Sequence, residues 1–270
     1  MLRYIIKLLG LSERLLKSPD FIVVGAQKSG TTYLYNLLIQ HKDILPSKMK
    51  EVHFFDNNFD KGKSWYLDHF ALNIHNSKIT GESSPYYLYH PLAAKRIYKY
   101  DKNIKIIILL RNPVDRAISH INMILKRHNL EYDEDIFCNI DNELMIQTAL
   151  EENLDKNLIK KNRIHQDFSF IARGIYVNQI KRYLQYFKLN ENLLILKSEQ
   201  FFDNTSIELI KIFDFLGVSK GLENIDFGVN AFSADYNTEK YRNCREKLKE
   251  FYKDYNNELE QLINQKMNWN

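Results

Sequence analysis

The sequence predicts an α/β fold in which a central parallel β-sheet is flanked by helices. Short apolar or β-branched runs bounded by polar residues indicate the strands, and apolar residues at helical spacing lie between them. A strand covered on both faces is a continuous apolar run, as in Lys105–Leu110. With 270 residues, 44% of them hydrophobic, the chain can bury the core of such a sheet. We therefore predict a single domain over residues 1–270.

The predicted elements alternate along the chain in the way that a parallel sheet requires. A helical extension at 1–20 comes first and a long helix at 238–264 comes last, and the segment 142–163 is a charged, helix-like stretch. Between them the predicted strands are Phe21–Gly25, Lys78–Gly81, Lys105–Leu110 and Leu193–Lys197, and the predicted helices are Thr31–Gln40, Pro91–Tyr98, Pro113–Lys126, Gly174–Phe187 and Ser206–Leu216.

The N-terminal extension has the pattern of an amphipathic helix. Lys7 interrupts its apolar run and no small-residue cleavage site follows, which argues against a signal peptide. The run is also too short to cross a bilayer, so we predict no transmembrane segment. The helix is expected to pack on the domain; weak contact with a membrane surface is the alternative.

Charge and cysteine content restrict the partners and the compartment. The formal net charge of +4 suits anionic ligands, but without a dense basic face it does not indicate a nucleic-acid-binding protein. Cys138 and Cys244 lie far apart and form no metal or redox motif. We therefore expect reduced cysteines and a cytoplasmic location.

The loop Gly25-Ala-Gln-Lys28-Ser-Gly30-Thr-Thr32 joins the first strand to the first helix. Backbone N–H groups at such a junction bind anions, and Lys28 adds a point charge. The loop differs from a Walker A motif because the lysine precedes the second glycine. The alternative is structural: Ser29 or Thr31 caps the helix and Lys28 is solvated.

A second cationic motif follows the strand Lys105–Leu110. Arg111 lies at the carboxyl end of that strand, Pro113 begins a helix, and Ser119 lies two turns into it. The guanidinium fork of Arg111 suits a phosphate group. The alternative is a salt bridge between Arg111 and a carboxylate such as Asp115.

Together the two motifs resemble those of sulfotransferases that use 3′-phosphoadenosine 5′-phosphosulfate (PAPS), and the resemblance extends from about Phe21 to Leu216. It implies a sulfotransferase fold with a P-loop-like strand–loop–helix and no metal. It also implies that the 5′-phosphosulfate binds the first loop and the 3′-phosphate binds Arg111 and Ser119. The same resemblance makes Arg173 and Tyr176 nucleotide-binding candidates, with contact to the acceptor or the capping of a helix as the alternatives for Arg173. The implied nucleotide-binding residues are Gln27, Lys28, Ser29, Gly30, Thr31, Thr32, Arg111, Ser119, Arg173 and Tyr176.

The segment Glu51-Val-His53-Phe-Phe-Asp56 is similar to a segment of heparan sulfate N- and O-sulfotransferases. That similarity implies that Glu51 is the base that takes the acceptor proton and that His53 is a neighbour that orients Glu51 or the substrate. Lys28, in the first loop, is expected to stabilise the charge of the leaving group. The alternatives are a solvated carboxylate for Glu51 and a core histidine for His53.

Three departures from these glycan enzymes argue against heparan sulfate itself as the acceptor. A lysine of their Glu-Lys-Thr-Pro segment is replaced by Ser83, and the chain has no clear match to their disulfide. Their Lys-Gly-Arg loop near the C-terminus is also missing, with Lys240 and Arg242 as the candidates to replace it.

The resemblance therefore implies a PAPS-dependent sulfotransferase that releases the bisphosphate PAP. The expected acceptor is a carbohydrate hydroxyl, with another hydroxyl or an amine as alternatives, and O- versus N-sulfation stays open. A P-loop-like nucleotide kinase or ATPase and an inactive nucleotide-binding interaction module are the competing functions. The kinase hypothesis predicts a need for magnesium. Because a sulfuryl group carries less charge than a γ-phosphate, its transfer is not expected to need the metal.

Overall fold

A computed structural model describes residues 10–11, 15–73, 77–152, 164–228 and 239–269. The strands of this part of the chain form a parallel sheet, and α-helices cover both of its faces. In chain order they are β1 (Phe21–Gly25), α1 (Thr31–Leu38), β2 (Ile44–Pro46), α2 (Gly62–Leu67), β3 (Ile79–Ser83), α3 (Ala93–Tyr100), β4 (Lys105–Leu110), α4 (Pro113–His128), α5 (Glu134–Phe137), α6 (Ile140–Glu152), α7 (Ile164–Asp167), α8 (Tyr176–Leu184), β5 (Leu193–Lys197), α9 (Ser198–Asp203), α10 (Thr205–Leu216) and α11 (Arg242–Ile263).

The strand order of the sheet is β2-β3-β1-β4-β5, so β1 lies at the centre. All four pairings are parallel, and Phe21 of β1 is opposite Gly81 of β3 and Lys105 of β4. The chain order reverses on the two sides of β1. Ligands of open α/β sheets bind at the carboxyl ends of the strands beside such a switch point. The loops after β1, β3 and β4 are therefore the expected site.

Both faces of the sheet are buried. In β1, Ile22 and Val24 belong to one apolar cluster, and Phe21 and Val23 belong to the other. Successive side chains of a strand alternate between faces, so a strand covered on both sides needs apolar residues at every position. This explains the uninterrupted apolar run of β1.

The α/β fold with a central parallel sheet is confirmed. β1, β4 and β5 have the predicted bounds, and β3 continues two residues past its predicted end, to Ser83. The three-residue edge strand β2 was not predicted. The predicted helix at 238–264 corresponds to α11, whereas most of the predicted extension at 1–20 lies outside the described residues. In the described part of the chain, no helix combines the length and apolarity needed to cross a bilayer.

The prediction of reduced cysteines is wrong. Cys138, which follows α5, forms a disulfide with Cys244 in the first turn of α11, and their Cα atoms are 5.8 Å apart. The separate expectation that the chain has no clear match to its relatives' disulfide stays a prediction. The cytoplasmic location had rested on free thiols, and it stays a prediction without that support.

Candidate active site

The loop after β1 has the features of an anion site. Gly30 is the N-cap residue before α1 and has a φ of 93°. Among the described residues no side chain caps that helix, so the capping alternative for Ser29 and Thr31 is wrong. A Cβ at Gly30 would lie 2.6 Å from a ring carbon of Phe202, so only glycine fits here. Ser29 is 1% exposed, and within the described residues its hydroxyl has no hydrogen-bond partner. Orphaned donors at a helix N-terminus suit an anionic ligand.

The charge around Lys28 indicates the same ligand class. Burial lowers the pKa of Lys28, and the nearby cations Arg111 and Lys126 lower it further. Among the described residues no carboxylate offsets this repulsion with an ion pair to Lys28. Binding of an anion would supply the missing counter-charge and raise the pKa again.

Arg111 lies beside this loop. Its Nη1 donates to the carbonyl of Lys28 at 3.2 Å, and the Tyr176 hydroxyl donates to the Arg111 carbonyl at 2.9 Å. The alternative salt bridge is wrong, because Asp115 pairs with Arg245 at 2.6 Å. The structure therefore brings the two cationic motifs to one edge of the sheet. Ser119 is 3% exposed on α4.

Arg173 is a buried residue that donates hydrogen bonds to the loop after β1 and to its surroundings. Its guanidinium is 3% exposed and donates to the side chain of Gln27, to Ser169 Oγ at 2.7 Å and to the Gln166 carbonyl at 2.6 Å. The side chain of Gln166 accepts from Asn57 Nδ2 at 3.0 Å. Arg173 thus connects the loop after β1 to the segment that follows Asp56. As nucleotide ligands, Arg173 and Tyr176 stay predictions.

The segment Glu51–Asp56 lies at the neighbouring strand β3, where the Ser83 amide donates to the Lys50 carbonyl at 3.2 Å. His53 joins two carboxylates: Nδ1 is 2.7 Å from Asp56 Oδ2, and Nε2 is 3.2 Å from Glu51 Oε2. Lys50 Nζ is 2.7 Å from the other oxygen of Glu51. The side chain of Glu51 is 44% exposed and can reach a ligand, whereas that of Asp56 is fully buried.

These contacts determine the protonation states. Burial is the largest influence on Glu51 and would raise its pKa, but the His53 hydrogen bond and the Lys50 charge lower it to about 2. Burial would likewise lower the pKa of His53, but hydrogen bonds to Asp56 and Glu51 raise it to about 10. At neutral pH the segment presents a carboxylate held by an imidazolium. The ion pairs with Lys50 and His53 argue against a merely solvated Glu51, whereas the alternative of a satisfied core histidine for His53 and the catalytic roles of both residues stay predictions.

Backbone geometry also marks the two predicted catalytic segments. Lys28 has a φ of 71° and His53 a φ of 53°, and apart from asparagines they are the described non-glycine residues with positive φ. Such conformations are costly for residues with a Cβ and concentrate at functional sites.

Some functional candidates were not recognised in the sequence. The sequence pattern assigned no role to Asp56, which lies in the same motif as Glu51, or to Glu82. Glu82 lies in β3, fully buried, and burial raises its pKa to about 7 although Ser84 and two tyrosines donate to it. Ser83, in place of the relatives' lysine, is also buried. The signal for Glu82 was an acidic residue next to an apolar strand, which is costly to bury without partners.

The remaining candidates have other contacts. Arg242 pairs with Glu239 at 2.7 Å, and Lys240 Nζ lies 5.3 Å from the centre of the Tyr132 ring. Within the described residues, no hydrogen bond or ion pair directly joins the loop that contains Lys28 to the segment Glu51–Asp56. The hydrogen bonds of Arg173 to Gln27 and Gln166, and of Asn57 to Gln166, connect the two regions. In the same part of the chain, no group of three or more His, Cys, Asp or Glu side chains could hold a metal ion.

Comparisons with known proteins agree with the fold. The family model of the sulfotransferase domain matches residues 18–266. The membrane-associated sulfotransferase kil1 of Dictyostelium discoideum is 26% identical over 95% of this chain and 67% of its own length. Human heparan sulfate glucosamine 3-O-sulfotransferase 3B1 is 30% identical over 78% of this chain, which spans about half (49%) of that relative. The crystal structure of a sulfotransferase from Alicyclobacillus acidocaldarius superposes with a TM-score of 0.71 at 29% identity, covering 94% of this chain and 99% of that one.

Proposed function

This chain belongs to the sulfotransferase family, and we propose that it transfers a sulfuryl group from PAPS to a hydroxyl or amine acceptor. The observation that carries the proposal is the hydrogen bond from Arg111 to the Lys28 carbonyl, which joins the two cationic motifs at one sheet edge. A donor with phosphate groups on the 3′ and 5′ positions of its ribose needs two such anion sites side by side.

The residues present fit this donor. The Ser29 hydroxyl and the N–H groups at the start of α1 are available to the 5′-phosphosulfate. Arg111, with Ser119 on the helix that follows it, would hold the 3′-phosphate. Neutralising the repelled cation Lys28 favours binding further. The fit extends to both ends of the nucleotide.

In this proposal the nucleotide supplies the sulfuryl group on a phosphate leaving group, and the protein supplies position and charge. Lys28 stabilises the negative charge that develops on the leaving oxygen. Glu51 accepts the proton of the acceptor, and His53, paired with Asp56, holds the Glu51 carboxylate in place. No step in this sequence requires a metal.

A carbohydrate hydroxyl is the acceptor we favour. The support is the family membership together with the similarity to a glucosamine 3-O-sulfotransferase over 78% of this chain. Because the chain spans about half of that relative, the acceptor is part of the proposal.

Ligand-dependent stability tests the donor. We expect PAP without metal to raise the melting temperature, because a ligand at about 100 times its Kd stabilises a protein by about 2.7 kcal/mol. Mg·ATP is the comparison ligand. Transfer of labelled sulfate from PAPS to a panel of glycans, small alcohols and amines then identifies the acceptor. Stabilisation by Mg·ATP alone would favour a kinase, and PAP binding without transfer to any acceptor would favour an inactive binding module.

Replacing Arg111 by alanine should weaken PAP binding about 10- to 100-fold, because hydrogen bonds to charged groups contribute about 1.5–3 kcal/mol. Isothermal titration calorimetry measures the change. The control is Lys181→Ala, since that half-exposed lysine pairs with Glu258 on the surface and is not assigned to the nucleotide. Equal PAP affinities for the Arg111→Ala variant and the parent would remove Arg111 from the 3′-phosphate site.

A further inference from the structure

Glu82 is a buried carboxylate with four hydrogen-bond donors around it. Oε1 accepts from the Tyr66 hydroxyl at 2.7 Å and the Tyr87 hydroxyl at 3.0 Å. Oε2 accepts from Ser84 Oγ at 2.6 Å and from the Val52 amide at 3.4 Å. Since Glu82 is 0% exposed, these protein groups replace the water that a carboxylate otherwise needs.

The partners of Glu82 hold the segment that carries the proposed base. The Val52 amide donates to Glu82 itself, the His53 amide donates to Ser84 Oγ at 3.1 Å, and the Phe54 amide donates to the Tyr87 oxygen at 2.6 Å. Three successive amides, directly after Glu51, therefore end on one buried cluster. This anchoring spans the residue with a φ of 53°, His53, whose backbone conformation needs support.

The direction of these hydrogen bonds depends on Glu82. A hydroxyl has one proton to donate and can accept through its lone pairs. When Glu82 is ionised, the Ser84 and Tyr87 hydroxyls give it their protons, so each turns only lone pairs toward the amides of His53 and Phe54. An amide group at position 82 would donate to one of these hydroxyls and reverse its polarity.

We propose that Glu82 is a positioning residue that sets the geometry of the Glu51–Asp56 segment for sulfuryl transfer. It acts through Ser84, Tyr87 and the Val52 amide and does not touch the substrates. The proposal rests on the proposed function for its catalytic consequence, while the ordering of the segment is independent of it.

The first test is Glu82→Gln in the full chain. We expect kcat to fall about 100-fold, the effect of displacing a reacting group by about 1 Å. The Kd of PAP should stay within about twofold of the parent value, since the anion loop after β1 lies outside this cluster. A general loss of structure would lower both quantities, so the split between them separates positioning from unfolding. A folded variant with the parental kcat would overturn the proposal.

A matched tyrosine pair keeps the proposal testable if Glu82→Gln does not fold. Tyr66 and Tyr87 are both 0% exposed and both donate to Glu82 Oε1, but only the Tyr87 oxygen accepts a segment amide. We expect Tyr87→Phe to lower kcat at least tenfold and Tyr66→Phe to leave it within about threefold, since only one of them unpairs a buried amide. Equal kcat values for the two variants would contradict the proposal.

Hydrogen exchange gives a readout without any substrate. Amide exchange at Val52, His53 and Phe54 should speed up at least tenfold in Glu82→Gln and Tyr87→Phe, and stay near the parental rate in Tyr66→Phe. Unchanged exchange in all three variants would overturn the positioning role. If exchange is faster in these two variants but the parent neither binds PAP nor transfers sulfate, the ordering of the segment by Glu82 is upheld and the proposed function is refuted instead.

Discussion

Replacing Glu51 by glutamine is expected to lower kcat by about 10²- to 10⁴-fold, the range in which a positioned general base contributes. Glutamine keeps the shape of the side chain, but it offers one acceptor oxygen where Glu51 offers one to Lys50 and one to His53, and it cannot take a proton at neutral pH. Labelled-sulfate transfer from PAPS at saturating acceptor measures the fall. The Kd of PAP should be nearly unchanged.

Asp43→Asn is a matched control for Glu51→Gln. The Asp43 carboxylate is also partly exposed, at 31%, and also lies beside a histidine, His41, at 3.9 Å. It is engaged by Ser219 and belongs to no proposed site. We expect this variant to transfer sulfate at the parental rate. Parental turnover by Glu51→Gln would show that Glu51 is not the base.

The pH profile of kcat/KM tests the same assignment independently. A carboxylate with a lowered pKa is ionised above that pKa and loses its charge as the pH falls through it, here near pH 2. The parent should therefore show no loss of activity from Glu51 protonation between pH 4 and 6. His53→Asn removes the cation that lowers the pKa of Glu51, so an acid limb should appear nearer its ordinary value of 4.5. An identical profile in both proteins would contradict the pairing.

The sheet could be predicted where apolar runs had clear boundaries. β4 has six residues between Asn103-Ile104 and the Arg-Asn-Pro turn, and its bounds agree with the prediction. β2 could not be predicted in this way, because it has three residues, ends at Pro46 and pairs only with β3 at the edge of the sheet. An edge strand of that length is stabilised by pairing with the neighbouring strand, and apolar periodicity in the sequence does not reveal such pairing.

Some residues of the candidate site could be brought together from the sequence, and others could not. Lys28 and Arg111 could be brought together from the sequence, because the carboxyl ends of parallel strands lie at one edge of the sheet. Glu82 could not, because β3 was predicted to end at Gly81, and this put Glu82 in a loop where a carboxylate is solvated. In the structure it is inside the strand. Its partners Tyr66 and Tyr87 come from other segments, so the buried cluster exists only in three dimensions.

The second large expected effect concerns the disulfide that the sequence did not reveal. Removing it by Cys138→Ser with Cys244→Ser should lower the free energy of unfolding by about 2–5 kcal/mol. The two cysteines are 106 residues apart, and the chain-entropy model gives about 4.7 kcal/mol for a loop of about 100 residues. Such a loss is a large part of the roughly 5–15 kcal/mol that stabilises a domain. Thermal unfolding should report a decrease of roughly 5–20 °C.

Reductant supplies the control. It should lower the melting temperature of the parent to that of the double serine variant and leave the variant unchanged, because only the parent has a bond to lose. If reductant frees the thiols of the parent but leaves its melting temperature unchanged, the prediction is contradicted.

Loss of the disulfide should also affect the nucleotide site. The disulfide fixes the first turn of α11, where Arg245 pairs with Asp115 in the first turn of α4, the helix that begins beside Arg111 and contains Ser119. Releasing that turn removes a restraint from the proposed 3′-phosphate site, so the reduced protein should bind PAP more weakly even below its unfolding transition.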